Sequence, residues 1–252
     1  MFRETVLQAL AAILRNAMRS FLTVLGVIIG VAAVIAMVTI GRGSTVQIES
    51  DVSKLGTNLL MVRPGLSRGP PGTGRPATPF TMKDLDAIAQ QVPGVEAVAP
   101  MNAQTMTIVA GNENHTGQVT GTDNAFFTTR DWDLAEGREF FESEIRSGAA
   151  VCILGETVRE ELFGGGNPLG ETVRLEQIAC RVIGLLTEKG ASAFGSDQDD
   201  ILLMSVRTFM RRVSGKQDVT TIFVGVKQGV STARVQTAIE VLMRERRRVR
   251  PG

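Results

Sequence analysis

The chain carries one uninterrupted stretch of twenty uncharged residues, positions 21–40, reading FLTVLGVIIGVAAVIAMVTI. A helix of that length reaches roughly 30 Å, about the hydrocarbon thickness of a bilayer. Nothing else in the 252 residues is comparable. The run predicts one transmembrane helix over 20–41, with everything after it on one side of the membrane. Arg3, Arg15 and Arg19 precede the run, against the single acid Glu4. Positive charge beside a membrane helix marks the cytoplasmic side, so the N-terminus is expected inside and the long remainder outside the cell membrane. A cleaved signal peptide is the alternative. Against it, the run exceeds the usual core of about 7–15 residues and ends without a small-x-small cleavage site.

Residues 1–19 carry a second signal. Phe2, Val6, Leu10, Ile13, Leu14 and Ala17 fall on one helical face; Glu4, Gln8, Arg15, Asn16 and Arg19 fall on the other. This reads as an interfacial amphipathic helix on the inner leaflet, the alternative being one longer helix protruding into the cytoplasm. Inside the run, Gly26 and Gly30 form a G-x-x-x-G pair. Small residues let helix backbones approach, so this pair is the candidate packing site for another membrane helix, although glycine is frequent in such helices anyway.

Net charge is +1 and 43% of residues are hydrophobic, so nucleic-acid binding has no electrostatic support. Eleven Phe, one Trp (Trp132) and no Tyr argue against an aromatic-lined groove for bases or sugars. Two cysteines, Cys152 and Cys180, sit in apolar strand-like runs. A disulfide is permitted outside the cytoplasm. Unpaired burial is the preferred expectation, because a domain of this size needs no staple. Their spacing matches no zinc pattern.

Beyond the run, 44–56 reads as a helix continuing the anchor outward and 57–64 as a short strand. The segment GLSRGPPGTGRPATP is too rich in Gly and Pro for regular structure. Thr81 and Asp84 make a capping-box pattern before a helix that Pro93-Gly94 closes, and a strand follows over 95–110. A second unit repeats this order: a strand at 199–204, a helix from Ser205 to near Gly215, a strand at 220–226 and a final helix from Ser231. Between the two, about 115–198, lie short apolar runs and turns with one helix at 156–163. The fold class expected is α+β, with an inner βαβ-type subdomain (about 50–112 and 199–248) carrying an inserted, mostly β subdomain (about 113–198), both within 42–252.

Catalytic motifs are missing. No GxxxxGK[ST] loop and no GxSxG elbow exists. The single histidine, His115, reads as a surface-loop residue. Asp197, Asp199 and Asp200 lack the D-x-D-x-D-G order of a calcium loop and read as a solvated strand entry. No enzyme activity, metal or cofactor is expected of this chain.

Several segments together resemble one family. LRNAMRSFLTVLGVIIGVAAVIAMVTIGRG and KLGTNLLMVRPG look like the start of MacB-type ABC transporter permeases. ILGETVREELFGGGNPLGETVRLEQIACRVIGLLTEKG is similar to a block of that family's periplasmic core, and DQDDILLMSVRTFMRRVSG and the closing RERRRVRPG also fit. The resemblance implies one membrane helix, an extracytoplasmic domain of two subdomains, then three further membrane helices past the point where this chain stops, at Gly252. It implies a permease subunit, or its N-terminal part, of an efflux exporter. Its partners would be an ABC ATPase that hydrolyses the ATP, a second permease copy and a periplasmic adaptor. It also brings Arg244, Arg246, Arg247, Arg248 and Arg250 back to the outer membrane surface, where they would meet lipid phosphates; a solvated helix end is the alternative. Read without the resemblance, the chain is a single-pass anchored interaction module with no transport role.

Overall fold

The structure, a computed structural model, describes residues 18, 21–22, 25–35, 37, 58–65, 78–192 and 195–247. The chain divides into two units, Met1–Asp51 and Val52–Gly252. In the first, residues 25–35 are helical, and large apolar side chains such as Val27, Ile28, Ile29 and Val34 are exposed. Among the described residues no helix is long and apolar enough to cross a membrane. Of the expected span over 20–41, residues 21–22, 25–35 and 37 are described; the expected interfacial helix, the helix at 44–56 and the Gly/Pro segment lie wholly or almost wholly outside the described residues.

The second unit mixes strands and helices. In chain order these are β1 (Leu59–Val62), α1 (Met82–Gln91), β2 (Val95–Ala110), β3 (Glu113–Thr122), α2 (Ala125–Arg130), β4 (Leu134–Gly137), α3 (Glu142–Ser147), β5 (Val151–Leu154) and α4 (Glu156–Phe163). Then follow β6 (Thr172–Leu175), β7 (Ile178–Leu186), β8 (Ile201–Ser205), α5 (Val206–Phe209) with a π-helical turn over Met210–Ser214, β9 (Thr221–Val226) and α6 (Thr232–Arg247). The expected strands at 57–64, 95–110, 199–204 and 220–226 and helices at 156–163 and after Thr81 and Ser231 are all present.

Strand β2 organises the sheet. Its first half, from Val95 to Met101, pairs antiparallel with β9, and β9 pairs with β1. Its second half, from Asn102, pairs antiparallel with β3. From there the order runs β3-β8-β5-β7-β4, with β3–β8 and β5–β7 parallel. Strand β6 pairs with both β7 and the far end of β2. The pairings β2-β3-β8-β5-β7-β6-β2 therefore close a ring. A parallel neighbour needs a crossover, and α4 with β6 supplies it between β5 and β7.

Side-chain alternation sorts the sheet residues into three cores. Leu202, Met204, Cys152, Leu154 and Ile108 point into the ring, which α4 closes with Val158 and Leu162. Ile201, Leu203, Ile153 and Phe223 point the other way, onto Phe126, Phe127 and Trp132. This is why ILLM and VCIL are unbroken apolar runs: β8 and β5 are buried on both faces. On β9, Ile222, Val224 and Val226 face a third core built with Leu85 and Ile88 of α1 and Val235 and Ile239 of α6.

Two local features depart from expectation. Cys152 and Cys180 are joined, with Cα atoms 5.9 Å apart, so the preferred reading of unpaired burial is corrected. The reason is topological: β5 and β7 are 28 residues apart in sequence but hydrogen-bonded neighbours, and both thiols face the ring interior. Ser205 precedes α5 as expected, but its hydroxyl donates to the carbonyl of Ile145 rather than capping α5. The same stretch contributes Arg207, Thr208 and Arg211, which donate to the carbonyls of Arg146, Ala149 and Ser147. These bonds satisfy carbonyls at and just beyond the end of α3 that no helical N–H reaches. Helix α5 lies so close to β3 that a Cβ on Gly121 would collide with the Phe209 side chain.

Reducing the disulfide, or replacing both cysteines by alanine, is expected to lower unfolding free energy by about 3 kcal/mol, since a loop of this length is released in the unfolded chain. Urea unfolding with and without reductant measures it. Gly121→Ala is expected to cost about 1–3 kcal/mol through overpacking against Phe209, read as a lowered melting temperature.

Candidate functional site

The expected Thr81–Asp84 pattern builds more than a helix start. Thr81 N–H and Oγ1–H both donate to Asp84 Oδ2, at 2.9 and 3.0 Å. The last turn of α6 then closes on the same carboxylate. Arg246 Nε donates to Asp84 Oδ1 at 3.1 Å, and Arg247 Nη2 lies 3.8 Å from Oδ2. Arg247 also donates to the carbonyls of Thr78 and Pro79 and stacks 4.3 Å over the Phe80 ring, while Arg246 donates to the Lys83 carbonyl. Burial pushes the Asp84 carboxyl up, but the Thr81 hydrogen bonds and the two guanidinium groups outweigh it and hold the carboxyl below its ordinary range.

The expected lipid-facing arginines therefore divide. Arg246 and Arg247 are spent within the domain. Arg244 is exposed beside Glu240, at 3.5 Å, and Arg248 and Arg250 lie outside the described residues. The G-x-x-x-G pair, Gly26 and Gly30, sits on the exposed helical run with open space within 4 Å of each ideal Cβ. Along α6, a groove of about 660 Å³ is lined by Thr237, Ala238, Val241 and Leu242, with Gln91 of α1 at its edge.

The acidic segment before β8 is a solvated strand entry only in part: Asp197 is exposed and Asp200 half-buried, but Asp199 is not. Asp199 is 2% exposed, and its carboxylate accepts the main-chain N–H groups of Lys189 and Gly190. Asp197 accepts from Thr157 Oγ1 and from Asp199 N–H. Asp200 pairs with His115 at 2.8 Å. His115 itself lies on β3 rather than in a loop, and the ring reaches Asp200 because β3 and β8 are neighbours. Each carboxylate thus has its own protein partner. Among the described residues no group of three or more His, Cys, Asp or Glu side chains could hold a metal ion.

Two polar clusters had no sequence motif to announce them. The Arg130 guanidinium lies 5.7 Å from the ring centres of both Trp132 and Phe223 and donates to Gln198. Lys189 Nζ lies 5.0 Å from the Trp132 ring and donates to the carbonyls of Arg130 and Asp131, at the end of α2. Burial lowers both cations, and Arg130 lowers Lys189 further. Lys189 thus acts as a cap on α2's free carbonyls. At the other end of α2, Asp123 accepts the Ala125 N–H, and Asn124 Nδ2 donates to the Phe140 carbonyl. Burial pushes the Asp123 carboxyl up to about 6, with Glu142 adding to the rise against that hydrogen bond.

Asp123 carries a pH signature. An acid whose folded pKa is raised binds its proton more tightly in the folded state. Its contribution to stability therefore falls as pH climbs from about 4 to about 6, and stays low above. Asp123→Asn is expected to stabilise the domain by about 1–3 kcal/mol at pH 7.5 and to leave it nearly unchanged at pH 4; denaturant titrations at the two pH values check this.

Comparisons with known proteins agree with this architecture. A family model for the MacB-like periplasmic core domain matches residues 20–242. The macrolide export ATP-binding/permease protein MacB of Syntrophobacter fumaroxidans is 41% identical over 217 residues, covering 85% of this chain and 30% of the relative. MacB of Rhodospirillum rubrum is 37% identical over 248 residues, covering 97% and 38%. The chain thus spans about a third of the length of these curated relatives. The periplasmic region of MacB from Actinobacillus actinomycetemcomitans shares the fold, with TM-score 0.64 at 22% identity over 77% of this chain and 86% of that one. So does the extracellular domain of the ABC-type transporter YknZ, with TM-score 0.60 at 18% identity over 76% and 96%. The chain belongs to the MacB-like periplasmic core domain family of ABC transporter permeases.

Proposed function

We propose that this chain is the N-terminal portion of a MacB-like exporter permease. Residues 20–41 cross the cell membrane, residues 1–19 lie on its cytoplasmic face, and 42–252 stand outside as an inner subdomain (about 50–112 and 199–248) carrying an inserted one (about 113–198). Three further membrane helices follow in the full protein. A separate ABC ATPase hydrolyses ATP; two permease copies work as a pair, with a periplasmic adaptor where the envelope has an outer membrane. Gly26 and Gly30 pack the first span against a neighbouring helix. Arg244, Arg248 and Arg250 meet lipid phosphates, while Arg246 and Arg247 hold the domain together.

The family match over residues 20–242 carries this reading. Two physical facts support it. The helical run 25–35 exposes side chains such as Ile28 and Ile29, a surface suited to lipid or another apolar helix. The Cys152–Cys180 disulfide fits a domain outside the reducing cytoplasm.

Purification of the tagged full-length gene product from membranes tests the proposal. It is expected to retain an ABC ATPase and to show vanadate-sensitive ATP hydrolysis in lipid vesicles. Recovery of the protein alone, without ATPase activity in its membranes, would support the anchored interaction module instead.

A further inference from the structure

Apolar packing between α1 and α6 is non-directional and sets no unique register by itself. The two helices run antiparallel. Gly94, just beyond α1, meets Val230 and Val235 near the start of α6, and Asp84, in the first turn of α1, meets the last turn of α6. Their interface is uneven. At the Asp84 end, one carboxylate receives Arg246 and faces Arg247, and three neighbouring carbonyls receive the same two guanidinium groups. Along the flank towards Gln91 lies the open groove of about 660 Å³. The last buried apolar side chain of α6 is Met243, just before the final turn. Directional bonds at one end and free space along the flank are the arrangement of a pinned lever.

We infer that Asp84 is a joint: it pins the C-terminal end of α6 to the first turn of α1, so that displacement arriving at the end of α6 is passed to α1 and the β1-β9-β2 sheet instead of rolling α6 into the groove. This rests on the exporter reading above, in which membrane helices follow α6 and move with the ATPase. Asp84 is a positioning residue here, with no contact to cargo or nucleotide implied. Asp84→Asn removes the charge that holds the two arginines and keeps an oxygen that accepts the Thr81 N–H. Arg246→Gln/Arg247→Gln opens the same joint while leaving the Thr81–Asp84 bonds of α1 intact. Thr81→Val is the structural control, weakening the start of α1 and sparing the arginine contacts.

The test uses the full-length permease with its ATPase in lipid nanodiscs. Spin labels sit on Gln90→Cys in α1 or Ala233→Cys in α6; both native cysteines are tied in the disulfide. Distances between the two copies are read without nucleotide and with ATP and vanadate. Without further change, and with Thr81→Val, both label pairs are expected to shift together on trapping. With Asp84→Asn, or with the double arginine variant should Asp84→Asn fail to fold, the α6 shift persists and the α1 shift falls below half. An α1 shift that survives intact in both variants overturns the joint and leaves the exporter reading standing. If neither pair shifts in the unsubstituted protein, the exporter reading fails and the joint falls with it.

Discussion

One continuous strand holds the second unit, Val52–Gly252, together. Strand β2, with 16 residues, spans roughly 50 Å at about 3.3 Å per residue, far longer than the usual five or six residues. Its first half is an edge strand of the β1-β9-β2 layer, laddered to β9, and its second half is a stave of the closed strand ring. The three cores are built on residues of this strand or its ladder partners. A break in β2 would separate the α1/α6 layer from the ring. No flexible linker joins these regions at this point; they share one strand, whose two halves are laddered to different partners, β9 and β3.

That shared strand explains why the polar contacts concentrate where they do. Backbone ladders tie strands but leave helix ends unsatisfied. Lys189 caps the end of α2, the Ser205–Arg211 stretch caps the end of α3, and Asp84 fastens the start of α1 to the end of α6. In each case the donor and acceptor lie far apart in sequence and close in space. Asp123 is the exception in sign: its burial opposes ionisation, so it is a cost of the local packing rather than a clamp.

The elements were largely legible, because their patterns are local. The capping pattern at Thr81–Asp84, the stop at Gly215, the helix at 156–163 and the strand at 95–110 follow from periodicity and turn chemistry over a few residues. Pairings were not. His115 read as a loop residue because GNENHTG is polar, yet strand β3 continues through it against β2. The acids before β8 read as solvated because nothing in sequence shows that Asp199 meets the Lys189 and Gly190 amides or that Asp200 meets His115. Arg246 and Arg247 looked like part of one basic run of five; only the return of α6 onto α1 brings these two to Asp84.

The amino-acid sequence by itself determined the long apolar run at 21–40, the α+β class, the element order and the family resemblance, because burial period, glycine and proline punctuation and capping residues act over one or two turns of chain. The tertiary structure alone decided that Cys152 meets Cys180, that β6 closes the ring onto β2, and that Asp84 receives the end of α6. Those outcomes depend on which distant strands become neighbours, and that is settled by the burial of both faces of β5 and β8 and by the length of β2, not by any local pattern of residues.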